Sequence, residues 1–169
     1  MPMPTTASLT NAPLFESVQD LLLHRPPMLL LKSVLSWGER ELEALVDPRD
    51  SQLFMDADGR IPSWVGIEYM AQAIGAFAGI ISKQAGEPVC LGFLLGTRRY
   101  HAEVTHFDPQ QLLRVKVSEL LRDESNLVLF KCELYAHEQL LAHAEIKAIQ
   151  PKDVETIMEQ FAQMNAAGE

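Results

Sequence analysis

From Ile61 to Gln84 the chain reads IPSWVGIEYMAQAIGAFAGIISKQ, its longest apolar stretch, and a single carboxylate, Glu68, interrupts it near the start. Pro62 and Ser63 signal a helix start, with Ser63 placed to cap the first turn, and Gly86 and Pro88 close the helix after Lys83 and Gln84. Val65, Ile67, Met70, Ile74, Phe77, Ile80 and Ile81 cover most of the helix circumference, with alanines and glycines between them. A helix that is apolar all round is enclosed by protein or by lipid. The uninterrupted part after Gln72 is far shorter than the roughly 20 residues needed to span a bilayer, and an ionisable residue would lie inside the span. No membrane span is therefore expected. Enclosure by the chain's own sheet leaves Glu68 inside an apolar wrapper near a helix N-terminus, a setting in which acids and bases are tuned.

The rest of the chain supplies that sheet. Residues 1–12 are expected to be disordered, and 13–169 to form a single domain. Leu14, Phe15, Val18, Leu21 and Leu22 recur at helical spacing up to His24, where Arg25, Pro26 and Pro27 end the helix. Met28 to Trp37 is a β-like run; Gly38 turns the chain, and Leu42, Ala44 and Val46 alternate as a hairpin partner. Asp47 to Arg60 is a polar loop leading into the central helix. After it, Val89 to His101 reads as a long strand interrupted at Gly92 and Gly96. Leu113, Val115 and Val117, then Val128, Phe130, Cys132 and Leu134, then Leu140 to Ile149 form an antiparallel meander. An amphipathic helix from about residue 152 presents Val154, Ile157, Met158 and Phe161 on one face. Two strands, one apolar helix and four strands make an α+β architecture. Such a curled sheet leaves open edges, which pairing in a dimer would close.

Composition removes several classes of function. The net charge of -9 over 169 residues excludes nucleic acid as a general partner, since a phosphate backbone needs a basic face. The start, MPMPTTASLTNAP, has neither the basic nor the apolar region of a secretion signal. Cys90 and Cys132 show no disulfide or CxxC pattern, so a cytoplasmic protein with reduced thiols is expected.

IPSWVGIEYMAQ and HRPPMLLLKSV together resemble the β-hydroxyacyl-acyl carrier protein dehydratases of fatty acid synthesis. In that family a proline precedes the helix carboxylate by six residues and an Ala-Met-Ala-Gln-like run follows; here Pro62, Glu68, Met70, Ala71 and Gln72 fall in register. The family's upstream His-Arg-x-Pro-hydrophobic pattern is matched by His24, Arg25, Pro27, Met28 and Leu29. The resemblance covers about Leu14 to Ile149. It is closest to the divergent branch of predicted dehydratases in aryl-polyene gene clusters, LGFLLGTRRY included. It implies a hotdog fold, a curved antiparallel sheet wrapped around one buried central helix. It also implies dehydration of β-hydroxyacyl thioesters on an acyl carrier protein, in fatty acid or polyene-type biosynthesis. The chain departs from the family in one respect: QLFMDADGRIPS replaces the usual Gly-His-Phe-Pro-Gly motif, no histidine lies between His24 and His101, and Ser63 replaces the glycine of the proline-glycine pair.

Dehydration needs a base for the α-proton, an acid for the departing hydroxyl and N–H donors for the thioester oxygen. Glu68 and His24 are the candidates for acid and base, contributed by one subunit or by two. The turn Ser63, Trp64, Val65 and Gly66 is the candidate for thioester binding, and Gln72, one turn after Glu68, for orienting it. Each has an ordinary structural alternative: His24 as a turn residue, Glu68 as an ion-pair partner of Arg98 or Arg99, Gln72 as a buried amide. Arg98 and Arg99, with Lys83, are candidates for a basic rim that receives an acidic carrier protein. His101, Glu103 and His106 match no zinc spacing, so no metal site is assigned. No cofactor is expected beyond the carrier's phosphopantetheine. The partners expected are an acyl carrier protein and a second hotdog subunit, identical or different. Two alternatives stay open: a hotdog thioesterase, and a catalytically silent hotdog subunit or acyl-binding partner of an active dehydratase.

Overall fold

A computed structural model of the chain describes residues 13–90 and 92–151, and beyond them only Glu155, Met158, Glu159, Ala162, Gln163 and Ala166, each in helical conformation. The expectations for residues 1–12 and for Val154, Ile157 and Phe161 lie outside the described residues.

Strands β1 (Leu31–Trp37) and β2 (Glu41–Val46) form the first hairpin, and β3 (Ile61–Pro62) precedes the turn Ser63–Val65 and helix α1 (Gly66–Gln84). There follow β4 (Phe93–Ala102), the short β5 (His106–Phe107), β6 (Leu113–Arg122), β7 (Leu127–Ala136) and β8 (Gln139–Ile149). Six strands make one sheet in the order β1-β2-β6-β7-β8-β4, antiparallel throughout, while β3 and β5 pair in a separate ribbon. The meander read from the alternation is present, and its inward positions are those the pattern marks. Leu42, Ala44 and Val46, Leu113, Val115 and Val117, and Phe130, Cys132 and Leu134 are all buried. Because strand side chains alternate, one apolar face per strand suffices to set the register against α1.

Helix α1 meets that face with Tyr69, Met70, Ala73, Phe77 and Ile80, all at most 1% exposed. Phe77 stacks edge-on against Phe130 with ring centroids 5.8 Å apart. Burying each such large side chain contributes about 1.5–3 kcal/mol. The stretch Ser63–Gln84 is long and apolar enough to cross a bilayer, but 67% of its apolar window is buried inside the fold, so it serves as the core helix.

Three expectations are corrected. The segment Leu14 to His24 is not an α-helix: only Val18–Asp20 forms a 3-10 turn, and the remainder is an irregular strap. Three of its apolar residues are nonetheless buried, Val18, Leu21 and Leu22 being 6%, 0% and 5% exposed, while Leu14 and Leu23 are exposed. The strap lies on α1 so closely that a Cβ at Gly79 would stand 3.0 Å from the Leu21 Cα and carbonyl carbon and nearer still to its oxygen. Seating backbone on backbone in this way suits an irregular segment better than a helix, whose side chains usually hold a packed partner's axis about 8–10 Å away. Second, the strand after α1 begins at Phe93 rather than Val89. Third, Ser63 makes no side-chain cap; its N–H donates to Thr105 O at 3.0 Å and its carbonyl accepts from the Tyr100 hydroxyl.

Candidate active site

Between the strap, the first turns of α1 and the ends of β4, β7 and β8 lies a cavity of about 240 Å³. Its walls are mainly apolar, with Leu22, Phe77, Phe93, Val128 and Phe130 among them, and His24, Glu68 and Gln72 also line it. Residues 68, 71, 75 and 78 line the cavity, and at 1.5 Å rise per residue they extend it along about 15 Å of one helix face.

His24 closes the strap, and its Nε2 stands 3.8 Å from Glu68 Oε1, the two side chains being 39% and 37% exposed. That separation allows charge attraction but is too long for a hydrogen bond. Catalytic pairs are commonly loose before substrate binds. His24 Nδ1 is buried and has no hydrogen-bond partner among the described residues. The turn bearing His24 is held by Arg25, whose Nη1 donates to Leu22 O at 2.8 Å and to His24 O at 2.7 Å.

Gln72 organises the other side. Its Oε1 accepts the Leu30 N–H at 2.8 Å, which fixes the amide orientation. Its Nε2 then donates to Met28 O at 2.8 Å and to Glu68 Oε1 at 2.9 Å. One buried amide thus ties the carboxylate to the backbone that follows His24, while Glu68 Oε2 has no partner among the described residues. A carboxylate oxygen and an imidazole nitrogen facing one apolar cavity can together take and give a proton on a molecule bound there.

The other candidate residues lie elsewhere. Ser63, Trp64, Val65 and Gly66 precede Glu68 by about one turn but do not line the cavity. Val65 is buried, and Gly66 sits under Tyr100, whose hydroxyl oxygen would be 2.5 Å from a Cβ there. Burial pushes the Tyr100 phenol up to about 12, so it stays a neutral donor to Ser63. Trp64 is 58% exposed and meets Phe54 edge-on. Arg98 and Arg99 are on β4; Arg99 has φ 57 at an irregularity in the β4–β8 pairing and lines a groove with Lys131, Glu133 and His143. Neither arginine pairs with Glu68, and with Arg25, Lys83 and Lys147 they have no carboxylate partner among the described residues, where the other cations do.

His101 pairs with Glu103 at 3.0 Å and His106 with Asp56 at 3.1 Å. Among the described residues no three His, Cys, Asp or Glu side chains converge on a point. The sequence reading did not place Arg25 or the cavity-lining Leu22 and Phe130 in the site. The signal for Arg25 was its place in the His-Arg-x-Pro pattern that His24 opens.

The family model described as ApeP-like, ApeP dehydratase, matches residues 16–159. Among solved structures, the dehydratase heterocomplex ApeI:P from Xenorhabdus doucetiae matches with 32% identity and a TM-score of 0.78, over 85% of this chain and 97% of that one. An HP0420 homologue from Helicobacter felis matches with 11% identity and a TM-score of 0.61, over 88% of this chain and 96% of that one. A putative thioesterase from Shewanella oneidensis matches with 16% identity and a TM-score of 0.52, over 70% and 82%. The last two likenesses are of fold alone. No curated protein matches the chain.

Proposed function

This chain belongs to the ApeP-like dehydratase family and has the hotdog fold, and from that premise we propose that it removes water from β-hydroxyacyl thioesters held on an acyl carrier protein, in aryl polyene biosynthesis. The observation that carries the reading is the approach of His24 Nε2 to Glu68 Oε1 at 3.8 Å on the wall of an apolar cavity. One of the two groups takes the α-proton and the other protonates the leaving β-hydroxyl, so that the C–O bond breaks, the α,β double bond forms and one water departs. In this reading the acyl chain occupies the cavity along α1. The thioester is proposed to reach out of the cavity toward the turn one helical turn before Glu68, where the backbone N–H groups of Trp64 and Val65, at the start of the helix, would meet developing enolate charge. The reaction asks for no metal or redox group, and the phosphopantetheine arrives with the carrier.

Both acid and base come from one chain in this arrangement, which favours an active subunit over a silent one. The missing Gly-His-Phe-Pro-Gly histidine is replaced by His24 from the strap. We further propose a hotdog partner. Its support is the open edges β1 and β4, the exposed Leu94 and Leu95 on the latter, and the heterocomplex formed by the 32% identical relative. Arg98 and Arg99, which have no carboxylate partner among the described residues of an acidic protein, are proposed to meet the carrier. The test is mass spectrometry of a carrier loaded with a β-hydroxyacyl group: loss of one water supports the reading, and release of free carrier would make the chain a thioesterase.

A further inference from the structure

The strap Ser17–Leu23 holds His24 in place with little secondary structure of its own. It runs antiparallel to α1: Leu21 lies over Gly79, Leu22 over Gly75, and His24 reaches Glu68. Upstream, Asp20 Oδ2 accepts the N–H groups of Glu16 and Ser17 at 2.9 and 3.0 Å. Glycine inside a helix costs about 1 kcal/mol relative to alanine, so two of them on the strap side of α1 need a compensating contact. They differ in kind. A Cβ at Gly79 would meet the Leu21 carbonyl oxygen first and the Leu21 C and Cα at 3.0 Å, all backbone atoms. A Cβ at Gly75 would meet only Leu22 Cδ2, at 2.8 Å, the end of a flexible side chain.

We propose that Gly79 is a positioning residue: it lets the strap backbone seat directly on α1, and that seating delivers His24 to Glu68, with Gly75 making the weaker second contact. The proposal rests on His24 and Glu68 being the acid/base pair. It acts through His24, so its effect falls on turnover more than on binding.

The test compares Gly79→Ala with Gly75→Ala in the full chain, by hydrogen exchange of peptides covering the strap and by steady-state dehydration of carrier-bound substrate. In Gly79→Ala the strap amides are expected to exchange roughly tenfold faster while β6, β7 and β8 keep their protection. The turnover number should fall on the order of 10²-fold, as a misplacement of about 1 Å can cost, and KM should change less. Gly75→Ala should lose much less, because Leu22 can rotate away. Wild-type strap protection and turnover in Gly79→Ala, or equal losses in the two variants, would overturn the proposal. If Gly79→Ala exchanges fast everywhere, Asp20→Ala decides: it frees the strap's upstream turn and leaves every helix residue unchanged, and faster strap exchange with undiminished turnover would also overturn it. Exchange is read without turnover. Strap release in Gly79→Ala therefore supports the docking even if the wild-type chain removes no water, an outcome that faults the dehydratase reading alone.

Discussion

The Gln72 amide donates to Glu68 Oε1 at 2.9 Å while its own oxygen is held by the Leu30 N–H at 2.8 Å. Because Leu30 N–H can only donate, the amide cannot turn over, and Glu68 is obliged to accept. Replacing Gln72 with Leu leaves the Leu30 N–H and the Met28 carbonyl without this partner and Glu68 without its tether. We expect a loss of about 1–3 kcal/mol in stability, the buried Leu30 N–H being left unsatisfied while the Met28 carbonyl is only partly buried, and a fall in turnover of roughly 10–100-fold. Urea unfolding and dehydration kinetics on the same preparation check both. A variant as active as the wild type would show that Glu68 needs no tether.

Tyr100→Phe tests the turn before α1. The change removes the hydroxyl that donates to Ser63 O and keeps the ring. It should cost about 1 kcal/mol, read as a small drop in the unfolding midpoint. If Trp64 and Val65 serve the thioester, loosening their turn should also lower kcat/KM severalfold; unchanged kinetics would remove that turn from the site.

Asp47 predicts an acid-side stability slope. Its carboxylate is 2% exposed and is held by Arg49 at 2.6 Å and Lys32 at 3.1 Å. The Arg49 side chain, with smaller help from Lys32 and the Arg49 N–H, holds it well below its ordinary 3.8 against the opposing effect of burial. A depressed folded-state value means that the unfolded chain binds the proton more readily. The stabilisation is therefore present above about pH 4 and is lost as pH falls from there toward the folded-state value. Asp47→Asn should lower stability at neutral pH by about 1–2 kcal/mol, since both cations are half exposed and screened. It should also flatten the loss between pH 4 and pH 2; an unaltered acid slope would contradict the assignment.

The central helix, its single carboxylate and the inward faces of β2, β6 and β7 were legible in the sequence because each follows from a local pattern: an apolar run with start and stop signals, one charge within it, and strict alternation in the strands. The strap was not. Leu14, Val18, Leu21 and Leu22 have helical spacing, yet the contact that decides their conformation is made by Gly75 and Gly79, more than fifty residues later, which no local pattern announces. Ser63 failed in the same way: a capping signal was overridden by Tyr100 and Thr105. His24 and Glu68 were legible singly, but their meeting within one chain depends on the path of the strap.

Charge reversal at Arg98 and Arg99 tests the carrier rim. With both changed to Glu, KM for carrier-linked substrate should rise roughly tenfold at low salt with turnover retained, and the difference should shrink as salt screens the encounter. A KM unchanged at every ionic strength would take these arginines out of carrier recognition.

The most direct test of the central claim is the mass of a β-hydroxyacyl-loaded acyl carrier protein after incubation with the wild-type chain, Glu68→Gln and His24→Ala. Each is run alone and with a hotdog partner subunit whose own acid/base pair has been removed. The account predicts loss of one water with the wild-type chain, and a fall on the order of 10²–10⁴-fold in rate with either variant. Undiminished dehydration by both folded variants would contradict it, and so would a carrier whose mass never changes with the wild-type chain and its silenced partner together.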